Sequence, residues 1–227
     1  MRLLAVIFAL LAGMASAGAW PRDKGRWFLA TSTQISGFGG AGNLTDLTIF
    51  NNLYLEYGLT QSLTLGLDIG QSIGFDPYYH AADPDYRLFA RLPLVERQGS
   101  RLAVEASLGK VGDQTYTAVG LNFGRGFELG PHYGWFSVDT RQVMAEGPGA
   151  EFLRQSKVDV TAGLTFASGL KAMAQVFHTQ VGDAPYSSFA PSLVVPFGDR
   201  VKVQGGVIFD LQDPAPPGVK IGLWQEF

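Results

Sequence analysis

The residues of this chain that could do chemistry recur at every second position. "LTLGLDIG" sets Asp68 in phase with Thr64, Gly66 and Gly70, against Leu63, Leu65, Leu67 and Ile69. "YRLFARL" sets Arg87, Phe89 and Arg91 against Tyr86, Leu88, Ala90 and Leu92. Followed along the chain, the polar phase holds Glu56, Glu105, Asp139, Asp159 and Glu226. It also holds Arg141, Lys157, Lys171, Lys202 and Lys220, and the rings of Tyr54, Tyr116, Trp135, Phe177 and Trp224, with Met173. Strict alternation puts all of these on one face of extended chain. A strongly selective ion pore needs a ring of one sign, and here the signs nearly balance. A balanced set gives interior ion pairs that narrow a channel, and structural ionic packing explains it as well as permeation does. So many rings among a few polar groups suit a path or pocket for small, partly apolar molecules. Aromatic filling of a closed interior is the plainer alternative. Tyr54, Glu56, Asp68, Arg87, Phe89, Arg91, Glu105, Trp135, Asp139, Arg141, Phe177 and Trp224 are accordingly expected to line a permeation path.

Other constellations lead nowhere stronger. "GFGGAG" at 37–42 has the G-x-G-x-x-G spacing of a dinucleotide loop, but "NLTDLTIFNN" after it is another strand. Without a helix N-terminus there is no anion site for a pyrophosphate. His80 lies among Asp76, Asp83 and Asp85 in a run whose composition is that of a solvated loop. The sequence has no cysteine, so disulfides and thiolate metal sites are excluded. No metal and no cofactor is expected. His178 and Ser188 lie on facing strands of one expected hairpin, near enough to consider a base and nucleophile.

The elements that position these groups are strands. A third clean alternation, "KVDVTAGLTF", completes the pattern, with no helical period and no solenoid repeat. Twelve strands are expected near 25–35, 46–58, 62–72, 84–93, 100–110, 114–124, 133–143, 155–167, 169–180, 186–197, 200–211 and 217–227. Most exceed the usual five or six residues and match the roughly 9–11 that a tilted strand needs to cross a bilayer. The connections are also asymmetric. "GLTQS", "ASG" and "FGDR" follow strands two, eight and ten. The longer "SGFGGAGNLT", "IGFDPYYHAADP", "MAEGPGAEFLRQ" and "QDPAPPG" follow strands one, three, seven and eleven. Short turns on one rim and long loops on the other mark outer-membrane barrels. Two connections break the rule: "KVGDQT" is short where a loop is expected, and "GRGFELGPHYG" is long where a turn is expected.

Bulk composition agrees. Hydrophobic residues make up 46% of the chain and charged ones only 16%, below the usual quarter. At the N-terminus, Arg2, an apolar run from Leu3 to Ala12 and the small residues Ala15, Ser16 and Ala17 read as a signal peptide cleaved after Ala17. Residues 1–17 are thus set aside, leaving 210 of the 227 residues, 18–227, as one barrel domain. Removing Arg2 takes the formal charge from −3 to −4, and no basic patch for nucleic acid remains. Beyond the leader no apolar stretch is long enough for a membrane helix. The fold expected is all-β: a closed, antiparallel, up-and-down transmembrane barrel of about 12 strands. A soluble secreted barrel or sandwich with its apolar faces turned inward is the competing fold. Closure removes the edges that hydrocarbon forbids, and an even count brings both termini to the periplasmic side.

The terminal "VKIGLWQEF" resembles the last strand of bacterial outer-membrane β-barrels, with Val219, Ile221, Leu223 and Phe227 matching and Gln225 departing from the usual apolar residue. The resemblance implies that Leu223 and Phe227 belong to an assembly signal read by the barrel-insertion machinery. The segment "EYGLTQSLTLGLDIG" is similar to a hairpin of small transporter-like barrels, including the putative phenol-degradation transporter group. Outer-membrane phospholipases carry Ser and His on the barrel wall, but "FHTQ" departs from their His-x-Ser pattern.

The function expected is passive diffusion of small apolar or amphiphilic molecules across a Gram-negative outer membrane, without catalysis. The partners expected are membrane lipid, lipopolysaccharide, the insertion machinery and a small-molecule solute. The alternative is a structural or adhesive barrel with a closed lumen and ligand-binding outer loops. A lipid hydrolase using His178 comes third.

Overall fold

The structure is a computed structural model that describes residues 18–37, 47–74, 83–146, 152–212 and 216–227. The expected leader, most of the "GFGGAG" run and His80 with Asp76 lie outside these residues. Twelve strands follow in order: β1 (Trp27–Ser36), β2 (Thr48–Gly58), β3 (Thr64–Gly74), β4 (Asp85–Arg97), β5 (Ser100–Val111) and β6 (Gln114–Leu129), then β7 (His132–Glu146), β8 (Phe152–Thr165), β9 (Lys171–Val181), β10 (Ala184–Phe197), β11 (Val201–Asp210) and β12 (Gly218–Glu226). Each pairs antiparallel with its chain neighbours, and β12 pairs with β1 to close the barrel.

The orientation of the alternating faces separates the two expected folds. Leu88 is 58% exposed and Ile221 59%, whereas Arg91 is 3% and Glu56 1% exposed. In a soluble domain the charges would be outside and the leucines inside. Here the apolar phase forms the outer wall, as a barrel in hydrocarbon requires. Exposed rings flank that wall at both ends. Trp27, Phe127, Phe197 and Phe227 lie at the rim that carries the termini, and Tyr86 and Tyr186 lie at the other. Such girdles mark the two membrane–water interfaces.

The seam accounts for the aromatic ending. β12 and β1 run in register from Phe28 opposite Glu226 to Ile35 opposite Val219. Beyond that register the Trp27 N–H donates to the Phe227 carbonyl at 2.6 Å, and the Phe227 N–H donates to the Trp27 carbonyl at 3.2 Å. The last residue therefore closes the ring of hydrogen bonds while its side chain stays on the outer surface.

The rims differ from expectation at two hairpins. At the terminus-side rim the strands are joined by 59–63, 98–99, 130–131, 166–170 and 198–200, all short. The "GRGFEL" stretch is therefore not a loop; it extends β6 to Leu129. At the opposite rim 37–47, 75–84 and 211–217 are longer, but the expected "MAEGPGAEFLRQ" loop is reduced to 147–151 by the reach of β7 and β8, and 112–113 and 182–183 are two-residue turns with Gly112 and Gly182 at positive φ. In β4 the register with β5 shifts between Pro93 and Val95. A proline lacks the ladder N–H, and an extra residue beside it restores pairing.

Candidate functional site: the barrel lumen

Four adjacent strands build a charged wall. Register aligns Tyr54 of β2 with Asp68 of β3 and Arg87 of β4. One step nearer the termini it aligns Glu56, Gly66 and Phe89, and one step further it aligns Thr64, Arg91 and Glu105 of β5. The inward side chains interlock. Arg87 donates to Glu105 at 2.6 Å and to Asp68 at 3.0 Å. Arg91 donates to Glu56 at 2.6 Å and to Glu105 at 2.9 Å. The Tyr54 hydroxyl donates to Glu56 at 2.6 Å, and Arg141 of β7 reaches Glu105 at 3.7 Å. Phe89 lies between the two arginines, with guanidinium carbons 4.6 and 5.0 Å from its ring centre, and stacks on Tyr54 at 5.7 Å. Its ring occupies the space a side chain at Gly66 would need, so that glycine lets it lie flat on the wall. Each buried charge here has a partner, the condition under which buried ions are tolerated.

The segment before β1 enters this lumen from the terminus-side rim, which sequence reasoning missed. Ala19 and Trp20 are buried with Trp135, Met173 and Val194, against Tyr133 and Trp224. Asn122 donates to the Gly18 carbonyl at 3.2 Å, and the Arg22 N–H donates to Thr64 Oγ1 at 2.9 Å. Arg22 Nε sits 2.5 Å from Glu56, completing the charged wall, with its guanidinium 4.2 Å from the centre of the Phe28 ring. The Trp20 ring covers Gly124. The inward-facing glycines were the only available signal: Gly58 and Gly124 leave room that this segment fills.

Opposite the charged wall the lumen is aromatic and amidic. A cavity of about 180 Å³ is bounded by Phe28, Trp135, Met173 and Trp224, with Gln204 and Lys220 among its polar groups. Trp224 is fixed by Nε1 donating to Gln204 Oε1 at 3.1 Å and meets Phe28 edge-on at 6.0 Å. A second cavity, about 160 Å³, lies toward the loop-side rim between Tyr116, Arg141, Val143 and Lys157.

The twelve residues singled out in the sequence thus divide. Tyr54, Glu56, Asp68, Arg87, Phe89, Arg91, Glu105 and Arg141 join in one network. Trp135 and Trp224 line the central cavity. Asp139 stands apart beside Gly18, and Phe177 lies on β9 between Asp159 and Ser188 in register. The expected His178–Ser188 approach is corrected by one residue. His178 Nδ1 is 2.8 Å from Ser187 Oγ, while Ser188 is buried on the inner face. Adjacent strand residues point to opposite sides, so only one of the two serines can reach it. Among the described residues no carboxylate hydrogen-bonds to His178.

No described protein family matches the chain, and no curated protein matches its sequence. Solved structures do match the fold. The "KdgM porin" has a TM-score of 0.63 at 8% identity, covering 88% of this chain and 99% of that one. The COG4313 outer membrane channel from Pseudomonas putida F1 has a TM-score of 0.59 at 15% identity, covering 94% and 100%. LpxR from Salmonella typhimurium has a TM-score of 0.52 at 10% identity, covering 88% and 99%. The fold is that of outer-membrane β-barrels. The narrower likeness of the β2–β3 hairpin to phenol-degradation transporters gains no support from these matches.

Proposed function

We propose that the chain is a channel of a Gram-negative outer membrane through which small apolar or amphiphilic molecules diffuse passively. The observation that carries this reading is the central cavity. Its Phe28, Trp135, Met173 and Trp224 walls offer a solute apolar contact inside a barrel whose β2–β5 charges are paired with one another. The interlocked β2–β5 side acts as a rigid wall, since moving any member strands a buried charge. Passage then runs along the β7–β12 side, and residues 18–26 must shift for a solute to leave at the terminus-side rim. Residues 1–17 act as a signal peptide cleaved after Ala17, lipid and lipopolysaccharide surround the barrel, and Leu223 and Phe227 serve its insertion. No step requires a catalytic group. The channels and porins with this fold support the reading.

Planar-bilayer recording tests it. Discrete conductance steps, reduced by small aromatic solutes and less so in Trp135→Ala, are expected. Steps indifferent to such solutes in both proteins would remove the solute path.

A structural barrel with a closed lumen is favoured by one observation, the burial of Ala19 and Trp20 inside the barrel; a folded but silent protein would select it. The hydrolase reading lacks an acid behind His178, and its histidine and serine lie on the outer wall at the loop-side rim.

A further inference from the structure

Lys220 differs from the clamped cations of the inner face. Lys202 pairs with Glu226 at 2.7 Å, and Arg87 and Arg91 are clamped by carboxylates. Lys220, half-buried on β12, has neither an ion-pair nor a hydrogen-bond partner among the described residues, and it is the one charged group lining the central cavity. Gly218 and Gly222 flank it on β12 and Gly206 faces it from β11, while Gln34 of β1 lies opposite it on the other side. Of the nearby amides, Gln175 turns its nitrogen to Thr161 at 3.2 Å and Asn52 to Asp68 at 2.7 Å, while Gln204 donates to Ser192 at 2.9 Å and accepts from Trp224 at 3.1 Å. An ammonium without a counter-charge among aromatic walls is unfavourable, and an anionic ligand relieves that.

We propose that the central cavity binds small monocarboxylates with an apolar body, the carboxylate on Lys220 Nζ and the body against Trp135, Trp224 and Phe28. Size sets the body. A cavity of about 150 Å³ lined by apolar groups accepts benzene, and this one is about 180 Å³, so one aromatic ring or a short acyl chain fits. The second cavity, toward the loop-side rim, adds Arg141 and Lys157 and no carboxylate to its lining.

The proposal rests on the channel reading for its biological role, but binding needs no conduction, so the two fail separately. Benzoate, benzyl alcohol and benzylamine would be titrated into the folded protein in detergent, following tryptophan fluorescence, with heat-modified gel mobility reporting folding. Saturable benzoate binding at least tenfold tighter than that of the alcohol or amine is expected. Lys220→Gln should abolish that preference, and Lys220→Arg should keep it. Equal affinity for the three probes, no saturable binding, or a preference that survives Lys220→Gln would overturn it. If Lys220→Gln does not fold, loss of preference on reductive dimethylation of the wild type would overturn it, because that modification keeps the charge.

A second inference starts from Asp139. Its Oδ1 is buried without a hydrogen-bond partner, and its cross-strand neighbour on β8 is another acid, Asp159. What lies against it is Gly18: a side chain there would collide with Asp139 Oδ1 and with Asn122. The backbone nitrogen of Gly18 is one bond, about 1.46 Å, from the same α-carbon. We infer that Gly18 is the first residue of the processed chain and that its α-ammonium is the counter-ion of Asp139, anchoring the segment that runs through the lumen. The intact mass of protein isolated from outer membranes should correspond to Gly18–Phe227. In the folded protein an amine-terminus-selective aldehyde should label Gly18 at least tenfold more slowly than in Asp139→Asn. A chain extended by one alanine before Gly18 should label as fast as that variant. A different first residue, or equal labelling rates in the folded proteins, would contradict the inference.

Discussion

At the scale of single residues, period-two alternation was enough to tell which side chains share the inner face, because a strand offers only two sides. It could not tell which carboxylate holds which arginine, since that depends on register across four strands. It also missed Arg22 and Trp20, whose segment has no periodicity and which pack on residues distant in sequence, Glu56 and Trp135 among them. The one-residue error at Ser188 has the same root: parity flips with every residue, so a hairpin aligned one position off selects the wrong serine. Arg91 is the residue on which the charged wall turns, since it bridges Glu56 and Glu105. Replacing it by alanine leaves two buried carboxylates short of a partner and should cost about 3–5 kcal/mol. Urea unfolding of the protein in lipid vesicles measures this, and a loss below about 1 kcal/mol would show the network to be dispensable. Glycine 66 makes a milder case. Gly66→Val puts a branched side chain where the Phe89 ring lies and should lower the same midpoint.

At the scale of elements, every strand was visible because a lipid-facing strand keeps one phase largely apolar. The β6–β7 hairpin was misread at its turn because Gly124, Arg125, Gly126, Gly130 and Pro131 look like loop residues. The structure gives several glycines another reason. Gly124 lies under Trp20, Gly126 under Tyr133 and Gly134 under Phe127, so the missing side chains make room for rings rather than bends. Gly124→Val should therefore leave the barrel closed but unseat Trp20, with higher conductance than the wild type; unchanged conductance would mean that Trp20 does not obstruct the lumen. β12 carries the other prediction at this scale. Its terminal residue closes the seam through the two hydrogen bonds with Trp27 and keeps its ring outside. Phe227→Ala preserves those backbone bonds, so refolding in detergent should persist while folded protein in the outer membrane falls several-fold. Equal loss in both settings would assign Phe227 to stability instead of assembly.

At the scale of the whole molecule, the barrel is a scaffold with an ionic side and an aromatic side, and its first described residues run between them. That division explains how a lumen with nearly balanced charge can still hold an apolar cavity, since most of the paired charges are gathered on β2–β5 and the cavity's rings face them. On the proposed channel reading, residues 18–26 are the part that moves for a path to open at the terminus-side rim. The most direct measurement is single-channel conductance of the chain from Gly18 compared with one lacking residues 18–22, in the same planar bilayers. The account predicts steps several-fold larger in the shortened chain, and reduction of both by small aromatic solutes. Silence from both proteins, with each folded and inserted, would contradict a solute path through the lumen.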